Sequence, residues 1–381
     1  MLAVSVAIAA LIPATLAAGY YFVLTTLGWW PRRSQASAEA RFTFAVLIPA
    51  HNEELSLEAT IQSVFRSEYP ADRLRILVVA DNCTDRTAEI ARAAGAECIE
   101  RVDPLNRGKG YALAVGIPAA LKTGADAVLI LDADCELDPG ALRSFAAAFA
   151  NGCSVAQAAV VARNPNEGPT GQVTAVGATI DNAIAAGLTR LGRTAPLRGT
   201  GMAFAREVLE RFPWTAFGLT EDAEYAARLK RAGIRVAFRG DAIIRSEAPA
   251  GLSAFRTQRR RWRAALRIKD RSLLARWLSS KPLVLAQLGL ALLAVGGLLG
   301  LMPFDAAIPF ASWCGVLVAL TAAVYVRALA RAGVALGGAA GVVRIVGVVG
   351  RLGWLTLGAL SDRGRTWRRT PRVAKPALTT G

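Results

Sequence analysis

Ala127-Val128-Leu129-Ile130-Leu131-Asp132-Ala133-Asp134 decides how the chain is read: five apolar residues run into two aspartates that share one small neighbour. An apolar run of this length predicts a strand buried on both faces, as in a parallel sheet covered by helices. On an extended backbone, residues i and i+2 point the same way, so both carboxylates are expected to face one cavity at the sheet edge. Two anions at that spacing want a cation, and a divalent ion that also ligates phosphate oxygens meets the need. An isolated pair of this kind is more often a solvated acidic turn, so its surroundings must decide.

Outward from this stretch, Phe42 to Ile48 is a strand candidate closed by Pro49, and Arg75 to Ala80 is another closed by Asp81. Helical patterns lie between them at Glu54 to Ser67, Thr87 to Ala94 and Tyr111 to Lys122. Strand–helix–strand alternation predicts an α/β fold with a doubly wound, mostly parallel sheet. Ligands of such sheets bind outside the carboxyl ends of the strands. His51-Asn52-Glu53-Glu54, Asp81-Asn82 and Asp132-Ala133-Asp134 all fall at those ends. No internal repeat or low-complexity linker interrupts the pattern.

Hydrophobic residues make up 53% of the 381 positions, unevenly placed. Leu2 to Trp30 carries no charge and runs into Trp29-Trp30-Pro31-Arg32-Arg33, the pattern of a membrane span with a cytoplasmic aromatic and basic border. A cleaved signal peptide would start basic and have a shorter apolar core. Pro282 to Met302 and Ala306 to Val326 are two further expected spans, joined by Pro303-Phe304-Asp305 and leaving through Arg327 and Arg331. Val334 to Leu360 holds Arg344 and Arg351 nearly on one helical face, which suits a helix lying in the interface. The expected division is an N-terminal span over 1–31, a cytoplasmic domain over 32–252, a basic interface region over 253–280, a membrane region over 281–361 and a basic tail over 362–381.

The net charge of +16 is concentrated. Nine basic residues and one acid lie between Arg256 and Arg276, and six and one between Asp362 and Lys375. Charge packed beside apolar segments suits lipid headgroups or a pyrophosphate, whereas a nucleic-acid partner would want it spread over a soluble face with aromatics between. Cys83, Cys98, Cys135, Cys153 and Cys314 show no C-x-x-C pairing, which suits a reducing compartment and argues against disulfides and structural zinc.

Six motifs then occur in a fixed order: Val46 to Glu54, Val79 to Thr87, Asp132-Ala133-Asp134, Gly199-Thr200-Gly201, Thr220-Glu221-Asp222, and Gln258-Arg259-Arg260-Arg261-Trp262. Together they resemble family 2 inverting glycosyltransferases, over about residues 42 to 265. The last motif resembles the Q-x-x-R-W signature of membrane-bound members such as cellulose, chitin and hyaluronan synthases. The resemblance implies a GT-A-like nucleotide-sugar-binding fold with transmembrane helices. It assigns Asp81 to the nucleotide base and Glu53 to the ribose and base. It makes Asp134 the direct ligand of a Mg2+ or Mn2+ ion, with Asp132 beside the ribose or behind the metal. Asp222 becomes the general base that takes the acceptor's proton. Gln258 and Arg261, on one helix face, would meet the diphosphate. Gly199, Thr200, Gly201, Glu221 and Trp262 would line the acceptor pocket.

Simpler readings stand beside these. Asp81 could cap the helix that Thr84 and Asp85 introduce, and Asp222 could be selected by a helix dipole. Asn106-Arg107-Gly108-Lys109-Gly110 suits phosphate approach by Lys109 and the backbone, and it equally suits a plain turn. Arg259, Arg260 and Arg263 fit lipid phosphates, and Met202 and Phe204 fit a core. His51, the sole histidine, has no metal-ligating partner in the pattern and is expected to be structural or nucleotide-adjacent.

The resulting expectation is a multi-pass protein of a bacterial inner membrane with a cytoplasmic catalytic domain. It would transfer a sugar from a nucleotide-sugar, a UDP-sugar foremost, to a lipid-linked or glycan acceptor, with membrane lipids and envelope polysaccharide assembly proteins as partners and no nucleic acid. Two alternatives remain: a processive β-glycan synthase, against which the few spans and the lack of a gating-loop segment count, and a non-catalytic nucleotide-binding membrane scaffold.

Overall fold

The computed structural model describes residues 2–31, 41–248, 281–334 and 338. Its centre is an eight-stranded sheet of β1 (Phe44–Ala50), β2 (Leu74–Asp81), β3 (Glu97–Arg101), β4 (Ala127–Ile130), β5 (Cys135–Leu137), β6 (Val155–Ala162), β7 (Met202–Ala205) and β8 (Ala237–Ser246). The spatial order is β3-β2-β1-β4-β7-β6-β8-β5. The helices are α1 (Leu2–Trp29), α2 (Leu57–Phe65), α3 (Thr87–Ala93), α4 (Lys109–Lys122), α5 (Ala141–Ala150), α6 (Gly168–Arg190), α7 (Arg206–Arg211), α8 (Glu221–Arg231), α9 (Lys281–Leu299) and α10 (Phe304–Arg331).

β3, β2, β1 and β4 form a parallel half, of which β1, β2 and β4 are the strands that the apolar runs predict and β3 is an addition at the edge. β1, β2 and β4 are buried on both faces along almost their whole length, so neither face shows polar alternation, whereas the edge strand β3 leaves Glu97 and Glu100 exposed. Phe44, Val46 and Ile48 of β1 pack with Leu57, Ile61 and Val64 of α2 and with Phe145 and Phe149 of α5. On the opposite face, Gly116 lets α4 lie close to the sheet: a Cβ there would sit 2.5 Å from a Leu47 methyl and 2.8 Å from a Val79 methyl. β7 is antiparallel to β4 and β6, β8 is parallel to β6, and β5 is antiparallel to β8, so the whole sheet is mixed. Met202 and Phe204 are fully buried in β7, as core residues should be.

The described residues fall into two compact units. One holds those of Pro31–Asn164 and Leu188–Ile268, the sheet among them; the other holds those of Met1–Trp30, Pro165–Gly187 and Lys269–Arg365. In the second unit α1, α9 and α10 share an apolar core including Leu11, Val295 and Leu317, while Val176 and Ile180 of α6 pack on Val324 and Ala328 of α10. α1 and α6 meet backbone to backbone. A Cβ on Gly28 would stand 1.9 Å from the Ala183 carbonyl oxygen, and one on Gly187 would stand 2.3 Å from that of Leu24. Small residues at such a crossing are what packing without a hydrophobic driving force selects.

Among the described residues, α1 and α10 are long and apolar enough to cross a membrane, at 28 residues each. α9 covers most of the expected span Pro282 to Met302, ending at Leu299, and its side chains are described from Leu288 onward. Apart from Val334 and Gly338, the expected interface helix lies outside the described residues, as do the basic interface region and the basic tail.

Candidate active site

The first side of the rim is built from the loops after β1 and β2. Asn52 and Asn82 both adopt left-handed backbone, φ 54° and 51°, which asparagine tolerates better than most residues. The Asn52 carboxamide accepts from the Thr84 amide at 2.8 Å, and the Glu53 amide donates to Thr87 Oγ1 at 2.8 Å, so the two loops are stitched together. His51 lies 2.7 Å by Nδ1 from the Asp81 carbonyl oxygen, an N–H donor to backbone. The Glu53 carboxylate accepts from Ser56 Oγ at 2.9 Å.

The helix after Asp81 has Arg86 at its N-cap position, and Asp85 just before it accepts from the Thr87 amide at 3.0 Å, while Asp81 is engaged elsewhere. The Asp81 side chain is buried, and its Oδ1 accepts from Arg101 Nη1 at 2.6 Å and Asn82 Nδ2 at 3.0 Å. Arg101 is the direct register partner of Asp81 in the β2–β3 pair, which is why residues twenty positions apart meet.

The paired aspartates are placed differently from the sequence expectation. β4 ends at Ile130, and Asp132 to Asp134 form a turn closed by the Cys135 amide on the Asp132 carbonyl at 3.0 Å. The turn, rather than strand alternation, gathers the ligand atoms of Asp132, Asp134 and Cys135 within 4.8 Å of one another. Burial, with Asp134 and Asp132 beside it, pushes the Cys135 thiol well above its usual range, so it stays protonated while the two carboxylates offer oxygen. Carboxylate oxygens fit a hard divalent cation such as Mg2+ or Mn2+.

Lys109 opens α4 and reaches across the rim. Its ammonium is hydrogen-bonded to Asp132 Oδ1, donates to the Gly199 carbonyl at 2.6 Å, and lies 4.0 Å from Glu221 Oε1. Burial alone would lower its pKa; Asp132, Glu221 and Asp222 outweigh that and hold the ammonium above its ordinary range. The antiparallel β4–β7 register sets Ile130 against Met202, which delivers Gly199, Thr200 and Gly201 to the same spot. Gly199 and Gly201 have φ of 81° and 65°, while Thr200 is buried and its hydroxyl accepts from the Asp132 amide at 3.1 Å. Gln157, buried in β6, holds this segment by donating to the Thr200 carbonyl at 2.9 Å and accepting from the Arg198 amide at 3.0 Å.

The third side is the start of α8. A Cβ on Gly199 would stand 3.5 Å from Lys109 Nζ and 3.7 Å from Asp222 Oδ2, so Asp222 borders the crevice that Lys109 and Asp132 occupy. Its neighbour Glu221 is buried, and burial raises its pKa to about 7 against Lys109, with Asp222 and Asp132 adding to the rise. The Asp81 and Asp132 loops, the Gly199 segment and the α8 start thus converge on one rim.

The family model described as "Glycosyltransferase like family 2" matches residues 40–265. The chain belongs to that family. Among curated family 2 relatives, the probable glycosyltransferase YdaM of Bacillus subtilis is 29% identical over 232 residues, covering 57% of this chain and 54% of that one. A 4,4'-diaponeurosporenoate glycosyltransferase of Staphylococcus haemolyticus is 36% identical over 104 residues, 26% of each chain. The chain thus spans about half or less of the curated relatives it matches. Among solved structures, the mannosyltransferase PcManGT of Pyrobaculum calidifontis, in complex with GDP-Man and Mn2+, is alike in fold, with a TM-score of 0.58 at 21% identity over 86% of this chain and 97% of that one.

Of the expected family 2 site residues, Glu53, Asp81, Lys109, Asp132, Asp134, Gly199, Thr200, Gly201, Glu221 and Asp222 are described; Gln258, Arg261 and Trp262 lie outside the described residues. Arg101 and Gln157 hold the site and escaped the sequence reading, because neither sits in a motif and only strand register reveals the partner of each.

Proposed function

We propose that this family 2 glycosyltransferase is an inverting enzyme that moves a sugar from a nucleotide-sugar, a UDP-sugar in our reading, to a hydroxyl of a lipid-linked saccharide at the cytoplasmic face of a bacterial cell membrane. The observation that carries the reading is the single crevice in which Lys109 holds Asp132 while Asp222 borders Gly199. In this reading the nucleotide base lies against Asp81 and the diphosphate against Lys109. Asp134 and Asp132 would hold a Mg2+ or Mn2+ ion, which when bound neutralises charge on the diphosphate. Asp222 takes the proton of the acceptor hydroxyl as that oxygen bonds to the anomeric carbon. The bond from that carbon to the diphosphate breaks, and its electron pair leaves with the nucleotide.

The apolar helices α1 and α10 and the charge concentrated beside apolar segments support an acceptor that is itself held in a membrane. The test is a screen of radiolabelled UDP- and GDP-sugars on membranes containing the chain, with lipid and aqueous products separated. One sugar added to a lipid product supports the proposal. A ladder of products would instead make the enzyme processive, and nucleotide binding without turnover of any donor would leave a scaffold.

A further inference from the structure

This inference rests on the reading above, in which the nucleotide lies at Asp81 and the proton goes to Asp222. Those residues stand on different elements, and a continuous column of side chains runs between their loops. Arg101 Nη1 holds Asp81 Oδ1 at 2.6 Å and the Asn106 carbonyl at 2.8 Å, tying β3 to the loop before α4. The Arg101 Cζ stands 5.5 Å from the centre of the Tyr111 ring, and Tyr111 stacks on Phe217 with centroids 4.5 Å apart at 20°. Gly110 lets the backbones close up as well. A Cβ there would lie 2.2 Å from the Ala216 carbonyl oxygen and 3.0 Å from the Phe217 Cα.

Phe217 stands in the segment that leads straight into Glu221 and Asp222, and that segment is pinned at its other end by Trp214, buried and stacked on Tyr225 at 4.4 Å. The Phe217 residue is nevertheless 44% exposed, so burial in the core does not account for an aromatic there. A flat ring on a flat ring transmits displacement and fixes orientation, which a flexible aliphatic contact does less well.

We infer that Tyr111 and Phe217 are a positioning pair: they carry nucleotide occupancy at Asp81 and Arg101 to the base-bearing segment Trp214–Asp222. A bound nucleotide steadies Arg101, Arg101 steadies Tyr111, and the stack steadies the segment that aims Asp222. Neither ring takes part in bond making.

The test uses the full chain in detergent, with UDP and GDP as probes, each with Mn2+. Nucleotide affinity is measured by titration calorimetry and backbone order in residues 214–222 by hydrogen–deuterium exchange. In the parent chain the nucleotide that binds should slow exchange in this segment by about fivefold or more, the lower end of ordinary coupling between sites. Tyr111→Leu and Phe217→Leu should bind the same nucleotide within about threefold of the parent and lose the slowing, while Tyr111→Phe, which keeps the ring, should retain it. Phe217→Leu changes an exposed ring and carries the test if Tyr111→Leu does not fold. Slowing that persists in the leucine variants, or is missing in a parent that binds nucleotide, overturns the inference. An affinity loss beyond about tenfold in Phe217→Leu would place that ring in the nucleotide site and overturn it too. A parent that binds neither UDP nor GDP would sink the proposed function itself, a result distinguishable from the others.

Discussion

Glu221 and Asp222 are adjacent carboxylates with different surroundings, and in the proposed reading only Asp222 acts as the base. Asp222 borders the crevice at Gly199, whereas Glu221 is buried beneath Lys109. Asp222→Asn keeps the shape and removes the proton acceptor, so nucleotide affinity should hold while kcat falls by about 10²-fold or more; kcat within a few-fold of the parent would place the base elsewhere. Glu221, with a pKa near 7 in the fold against an ordinary 4.5, favours its protonated form there. Between about pH 5 and pH 8 the folded chain must shed a proton that the unfolded chain has already lost, so stability falls as pH rises through that window. Glu221→Gln should therefore show a smaller drop in Tm from pH 5 to pH 8 than the parent, measured without metal or nucleotide; superimposable profiles would contradict the burial argument. Asp134→Ala should weaken nucleotide binding measured with Mn2+ while leaving metal-free binding little changed, and equal affinities with the ion present would remove Asp134 from the metal site.

At the scale of elements, short loops do most of the positioning. Gly201 joins the Gly199-Thr200 segment to β7 in left-handed backbone, and a Cβ there would meet Ala158 Cβ at 2.7 Å and Ile244 Cγ1 at 2.8 Å. Gly201→Ala should therefore cost about 2 kcal/mol or more in denaturant unfolding, from unfavourable φ and overpacking together. β1, β2 and β4 were legible in the sequence because burial on both faces writes an apolar run, as in β4, whereas the edge strand β3, Glu97-Cys98-Ile99-Glu100-Arg101, writes none. The turn at Asp132 to Asp134 was not, since an Asp-x-Asp reads alike on an extended chain and in a turn until the Cys135 amide closes it. β5 is only three residues long, and β7, four residues behind a Gly-Thr-Gly turn, lacks the longer apolar lead-up of Ala127 to Leu131.

For the whole molecule, the sharpest contrast is between the sheet-bearing unit and the unit of α1, α9, α10 and most of α6. α1 has no charged side chain over its 28 residues and α10 carries Asp305 in its first turn and Arg327 and Arg331 near its other end, so each can span a hydrocarbon layer of about 30 Å. The chain should remain with membranes after alkaline carbonate washing and be released by detergent; release by carbonate alone would make these helices part of a soluble core. α6 lies within the span matched by the family model and yet packs with α1 and α10, which its mixed composition does not announce.

The amino-acid order by itself determined the buried strands, the charge-free helix at Leu2–Trp29, the order of the family motifs and the identity of the acidic residues at the rim. Each is written locally, in periodicity, in charge, or in neighbours a few positions apart. Tertiary structure alone decided which of those residues meet: Lys109 with Asp132, Asp81 with Arg101, Gln157 with Thr200, Tyr111 with Phe217. Such meetings follow from strand register and loop closure across many positions, and a linear pattern carries no signal for a distance that only the folded backbone fixes.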